Sequence, residues 1–176
     1  MSKFLLPLLV FLVLVGVFVV GLTKDPSRIP SPLLGNPAPE YSLPSLEDPT
    51  QQAGSADFSG KVALVNIWAT WCPGCRQEHG FLMELAAENT IPIYGLNWRD
   101  NRPDALRWIE SLGNPYETSA FDADGRVGID WGAYGAPETF LLDSNSMVVH
   151  KHIAPLTREI WERDFVPIIA QLEAGE

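Results

Sequence analysis

The chain has 176 residues with 12 basic against 22 acidic side chains, a net charge of −10. An acidic balance spread over the polar part of the chain excludes nucleic acid and an anionic lipid surface as electrostatically favoured partners. The length suffices for one domain with its own core once an apolar N-terminal stretch is set aside. Only two cysteines are present, Cys72 and Cys75, so all thiol chemistry falls on one short segment.

Residues 4–22 contain no charged side chain. As a helix, that stretch measures roughly 28 Å at about 1.5 Å per residue, close to the hydrocarbon thickness of a bilayer. The expectation is an uncleaved membrane anchor over residues 1–22, because Thr23, Lys24, Asp25 and Pro26 offer no small-x-small cleavage site. Lys3 and the amino terminus on one side compete with Lys24 and Arg28 on the other, so the charge rule does not set the orientation. A short stub, one span and a large C-terminal domain read most simply as a signal anchor that exports the domain. Residues 23–37 are rich in Pro and Ser and read as an extended tether. The domain proper is expected over residues 38–176.

Within it, residues 41–46 read as a short edge hairpin and residues 47–60 as a polar, turn-rich connection. Residues 61–68 form an apolar, β-branched run of the kind found in a central strand. Residues 76–89 follow with Phe81, Leu82, Leu85 and Ala86 at helical spacing. Residues 91–97 read as the next strand and residues 103–112 as the next helix, with Pro103 in its first turn. Such a βαβ unit implies parallel strands and a right-handed crossover. In the second half, residues 140–142 and 147–150 flank the turn-rich Asp143-Ser144-Asn145-Ser146 and read as an antiparallel hairpin. A last helix is expected over residues 157–172, kinked at Pro167. The sum is an α/β fold, βαβ followed by ββα, on a mixed sheet.

The cysteines lie at the strand-to-helix junction, in Trp71-Cys72-Pro73-Gly74-Cys75. At the start of a helix, the Cys72 sulfur would lie near unpaired backbone N–H groups and the positive end of the helix dipole, which favour the thiolate. Cys75, one turn later, is then the resolving thiol of a mixed disulfide. Pro73 suits the first helical position. Three other readings compete. A structural disulfide closing so short a loop would remove little unfolded-state entropy. A Cys2His2 zinc site can be written with His79, His150 and His152, without a second cysteine pair to support it. Covalent haem attachment is disfavoured because Arg76, not histidine, follows the second cysteine.

Two stretches, Val65-Asn66-Ile67-Trp68-Ala69-Thr70-Trp71-Cys72-Pro73-Gly74-Cys75-Arg76 and Tyr134-Gly135-Ala136-Pro137-Glu138-Thr139-Phe140-Leu141-Leu142-Asp143, resemble the membrane-anchored CcmG/DsbE proteins of cytochrome c maturation, within the thioredoxin superfamily. The resemblance implies a thioredoxin-like fold and a single-pass protein of the inner (cytoplasmic) membrane with its catalytic domain in the periplasm. It implies a reductant of disulfides in apocytochrome c, or in a maturation thiol chaperone, fed by a DsbD- or CcdA-like membrane reductase. No cofactor is implied beyond the redox-active Cys72–Cys75 pair.

The resemblance further makes Pro137 a cis-proline facing the cysteines, with the Ala136 backbone as a substrate contact; Trp71, an aromatic that cannot be fully buried without covering Cys72, reads as a flat contact surface beside the sulfur. Glu138 and Glu78 match acidic positions of the family, where a carboxylate can shuttle a proton or raise a thiol pKa by repulsion. Glu78 reads equally as a solvated residue of the first helical turn. Asn66 stands where thioredoxin has a buried aspartate, so any assisted proton transfer falls to Glu138 or Glu78. Arg76 reads either as a stabiliser of the Cys72 thiolate or as an exposed helix residue. Two alternatives stay open. One is a more general extracytoplasmic reductase of the TlpA or ResA type. The other is a carrier of Cu(I), a soft ion that thiolates bind, although none of Met1, Met83 and Met147 lies beside the motif.

Overall fold

The structure, a computed structural model, describes residues 5–22 and 33–174. The chain falls into two units, Met1–Pro30 and Ser31–Glu176. In the first, helix α1 (Leu5–Leu22) has 18 residues and no acidic or basic side chain in its end turns. It measures about 27 Å, slightly short of a hydrocarbon core of about 30 Å. Among the described residues no helix is long and apolar enough to cross a membrane. Most of the expected tether lies outside the described residues. Its last part does not hang free: Gly35 N donates to Val148 O at 2.8 Å and Pro37 bridges Met147, so the second unit begins before residue 38.

The second unit opens with β1 (Ser42–Pro44), β2 (Gln52–Gly54) and a short helix α2 (Ser55–Phe58). β1 pairs with β2 rather than with a nearer segment, so the hairpin reaches into the stretch expected to be a plain connection. Next come β3 (Ala63–Trp68), α3 (Pro73–Glu88), β4 (Ile93–Trp98), α4 (Arg102–Leu112), β5 (Thr118–Asp122), α5 (Arg126–Asp130), β6 (Glu138–Leu142) and β7 (Val148–Ile153). They build a five-stranded sheet in the order β5-β4-β3-β6-β7. β3, β4 and β5 are parallel, whereas β6 and β7 are antiparallel to their neighbours.

β3 lies in the middle with every residue buried. Its alternation divides the core: Leu64 and Trp68 join the cluster beneath α3 and α4, and Ala63, Val65 and Ile67 join the cluster with Phe58, Trp131 and Phe140. β5 is an element that the sequence pattern does not announce, because its signal is masked by buried polar residues with partners. Trp68 Nε1 donates to Ser119 Oγ at 3.2 Å, and Asp122 Oδ2 accepts from Gly128 N at 2.8 Å.

The C-terminal helical run starts at α6 (Arg158–Ile160), passes through a π-helical turn (Trp161–Phe165) and ends in α7 (Val166–Ala174). Val166 N donates to Trp161 O, five residues back. The expected break at Pro167 takes this form because proline has no N–H for the regular ladder and the extra residue of a π-turn absorbs the mismatch.

Candidate active site

β3 ends at Trp68 and α3 begins at Pro73, so the cysteines sit where a buried strand hands over to a helix. Cys72 is the N-cap of α3, and its sulfur accepts a hydrogen bond from Cys75 N at 2.9 Å. Cys72 and Cys75 form a disulfide with Cα atoms 5.3 Å apart. The two are equally shielded, at 2% and 3% exposure, so Cys75 is not the better covered of the pair in this oxidised form. What distinguishes Cys72 is its place at the helix terminus, where a backbone N–H and the dipole favour negative charge on sulfur.

The turn leading to Cys72 is tied to the loop after β4. Thr70 N and Thr70 Oγ1 donate to the two carboxylate oxygens of Asp100 at 2.7 and 2.6 Å. Trp71 Nε1 donates to Arg99 O at 3.1 Å, yet Trp71 stays 51% exposed. It is thus a fixed, flat apolar surface beside the disulfide. Arg76 lies with its guanidinium 4.4 Å from the centre of the Trp108 ring, a cation–π contact on the helix flank.

Opposite the helix start, the Ala136–Pro137 peptide bond is cis. A Cβ on Gly74 would stand 2.7 Å from Pro137 Cδ and 3.2 Å from Pro155 Cγ, so glycine between the cysteines allows the proline segment to approach closely. Beside this contact opens a cleft of about 390 Å³, lined by Gly74, Tyr134, Ala136, Pro137, Ile153 and Pro155 among others. An extended chain laid along Ala136 would reach the disulfide from this side.

The two candidate carboxylates part company. Asn66 pairs with Thr139 and Ile67 with Glu138 across β3 and β6, so Glu138 points to the sheet face opposite the one that carries Asn66 and α3. Glu138 Oε2 forms an ion pair with Lys151 Nζ at 2.8 Å, both side chains all but fully buried. Glu138 Oε1 accepts from Tyr134 N at 2.8 Å, and Lys151 Nζ donates to Gly132 O at 2.9 Å. Lys151 also lies over the rings of Tyr134 and Phe140. Glu138 therefore braces the loop that carries Pro137, and it also lines the cleft beside Gly74. Sequence reasoning did not single out Lys151; the charged residue inside an otherwise half-buried strand, β7, is the signal that could have found it.

Glu78 is not a solvated first-turn residue. It is buried, one turn beyond Cys75 on the inner face of α3. Its Oε1 accepts from Asn66 Nδ2 at 2.9 Å and its Oε2 from Leu156 N at 2.8 Å. Burial pushes its carboxyl up to about 7, against the two hydrogen bonds that favour the carboxylate. The native state therefore holds a proton that the unfolded state releases, so this group lowers stability as pH rises from 4.5 to about 7, by about 3 kcal/mol in all. Urea unfolding of oxidised wild type and Glu78→Gln at pH 5 and pH 8 checks this. The stability difference should move by about 3 kcal/mol in favour of the variant at the higher pH; parallel curves would refute the buried titration.

His79 is also buried. It receives the Trp108 Nε1 proton on Nδ1 at 3.1 Å and faces Gly113 O with Nε2 at 3.1 Å, which requires the neutral tautomer protonated on Nε2. Desolvation holds its pKa below the ordinary value. His150 and His152 pack edge-on against Phe165 on β7. Among the described residues no group of three or more His, Cys, Asp or Glu side chains could hold a metal ion.

With a sulfur pair at a helix start, a cleft beside it and a buried carboxyl one turn further in, this site exchanges disulfides. The Redoxin family matches residues 33–166, and the protein is a thiol–disulfide oxidoreductase of thioredoxin-like fold. The chain is 46% identical over 175 residues to the thiol:disulfide interchange protein DsbE of Allochromatium vinosum, covering 99% of this chain and 97% of that one. It is 45% identical over 168 residues to the protein of the same name from Pseudomonas aeruginosa, covering 96% and 93%. The solved structure of a thio-disulfide isomerase from Thermus thermophilus superposes with a TM-score of 0.62 at 26% identity, covering 81% of this chain and 96% of that one. The chain belongs to the DsbE (CcmG) family.

Proposed function

We propose that this protein is a periplasmic, membrane-anchored reductant of protein disulfides that serves c-type cytochrome maturation. The observation that carries the chemistry is Cys72 as N-cap of α3, its sulfur bonded by Cys75 N, opposite the Ala136–Pro137 edge. In the reduced form the Cys72 thiolate attacks a client disulfide, forming a mixed disulfide and releasing one client thiolate. The Cys75 thiol gives its proton to Glu78, and the Cys75 thiolate attacks Cys72 Sγ. The Cys72–Cys75 disulfide forms, the second client thiolate leaves, and both client thiolates take up protons. Two electrons have passed from the cysteine pair to the client.

The client is apocytochrome c or a maturation thiol chaperone, and a DsbD- or CcdA-like membrane reductase restores the dithiol; the family membership supports both. The charge-free, exposed apolar side chains of α1 support an anchor at the lipid bilayer. Trp71 and the Ala136–Pro137 backbone receive the client. The direction of flow is tested by equilibrating the full chain in detergent with dithiothreitol and glutathione buffers. A potential near or below about −270 mV, the value of thioredoxin, is expected; one near −120 mV, typical of a strong oxidant, would make the protein a disulfide donor and overturn the reading.

A further inference from the structure

If Glu78 accepts the Cys75 proton, as the proposed function has it, a second layer of side chains behind Glu78 controls that acceptor. Tyr116 is buried, stacked on Trp68 with ring centroids 5.4 Å apart and planes 21° apart. Its backbone N–H donates to Asn114 Oδ1 at 3.1 Å. Its hydroxyl donates to Asn66 Oδ1 at 2.8 Å. With its carbonyl oxygen engaged, the Asn66 amide presents its NH2 group to Glu78 Oε1 at 2.9 Å and to Thr139 Oγ1 at 3.1 Å. Leu156 N donates to the other carboxylate oxygen, Glu78 Oε2, at 2.8 Å. Each oxygen of Glu78 thus meets a donor.

A protonated carboxyl needs an acceptor, and a flipped Asn66 would offer one by turning Oδ1 to Glu78. The flip would put the amide NH2 against the Tyr116 hydroxyl and strip that hydroxyl of its acceptor. We propose that Tyr116 is a positioning residue: by donating to Asn66 Oδ1 it fixes the direction of the Tyr116–Asn66–Glu78 chain and keeps Glu78 an acceptor for the Cys75 proton. The step it governs is the resolution of the mixed disulfide, in which the Cys75 S–H bond breaks, an O–H bond forms on Glu78, and the sulfur electron pair attacks Cys72. Burial and the nearby Glu78 charge hold the Tyr116 pKa well above its ordinary value, so the hydroxyl keeps the proton it donates.

The test is stopped-flow reaction of the reduced full chain with dithionitrobenzoate, whose second release of coloured thiolate reports resolution, from pH 5 to 9. In Tyr116→Phe the Asn66 amide is free to turn, and the acid limb of the second phase should move up by about one pH unit, tenfold in proton affinity. Glu78→Gln should lose that limb altogether. A Tyr116→Phe profile that superimposes on wild type while Glu78→Gln loses the limb overturns the Tyr116 proposal alone, and a lowered urea midpoint without a pH shift makes Tyr116 merely structural. A limb that survives in Glu78→Gln overturns the assignment of Glu78 and the proposal with it. If Tyr116→Phe does not fold, Asn66→Asp decides. It is nearly isosteric and sets a second carboxyl against Glu78 Oε1, so the limb should move up by at least about one pH unit from its wild-type position, and an unmoved limb overturns the proposal.

Discussion

Cys75→Ser should turn a catalyst into a trap. With Cys72 intact at the helix start, the first attack proceeds, because the groups that favour its thiolate, the Cys75 backbone N–H and the dipole of α3, do not depend on the Cys75 side chain. Serine cannot resolve the intermediate at neutral pH, so the client stays joined to Cys72. The variant should accumulate a client adduct, visible as a mass shift and released by dithiothreitol. Cys72→Ser removes the nucleophile itself and should lower disulfide-reductase turnover by about 10³-fold or more, the scale on which loss of a covalent nucleophile registers. It should form no adduct. The reverse pattern, adducts on Cys72→Ser and none on Cys75→Ser, would exchange the roles of the two sulfurs and with them the effect ascribed to the helix terminus.

The active-site turn was legible because everything that builds it is local. An apolar run, two cysteines one turn apart and a proline at the first helical position lie within a few residues of one another, and together they set the sulfur at the N-cap. The burial of Glu78 was also written in the period of α3, since it shares the inner face with Cys75, Leu82 and Leu85. Its carboxylate suggested solvent, and the partners that make burial tolerable come from elsewhere: Asn66 on β3 and the backbone of Leu156 after β7. The orientation of Glu138 depends on one register, Ile67 opposite Glu138, and a slip of one residue would have turned it toward the cysteines. Resemblance gave the proline its place but not the sheet face of the residue after it. β5 was missed for a related reason, because Ser119 and Asp122 spend their polarity on Trp68 and α5 rather than on water.

Lys151→Met should be the most damaging change to stability outside the core. Lys151 and Glu138 approach to 2.8 Å with side chains 2% and 1% exposed, so neither charge has water to fall back on. Removing the ammonium leaves Glu138 with only the N–H groups of Tyr134 and Gly135. Breaking a buried pair from one side costs about 3–5 kcal/mol, where an exposed pair would cost at most about 1. The urea midpoint should fall by about 2 M. Lys151→Met combined with Glu138→Gln removes both charges and should recover most of that loss, since a buried pair contributes little against neutral groups of similar volume. Recovery of stability should not restore exchange in full. Glu138 Oε1 holds the backbone at Tyr134 and Gly135, immediately before the Ala136–Pro137 edge, and a neutral amide is a weaker acceptor there. The double variant should therefore show a raised KM for a protein client with its second-phase pH profile unchanged, because the Glu78 network lies on the other face of the sheet. A loss below about 1 kcal/mol in Lys151→Met would mean that water reaches the pair, and Glu138 would regain its claim to the proton.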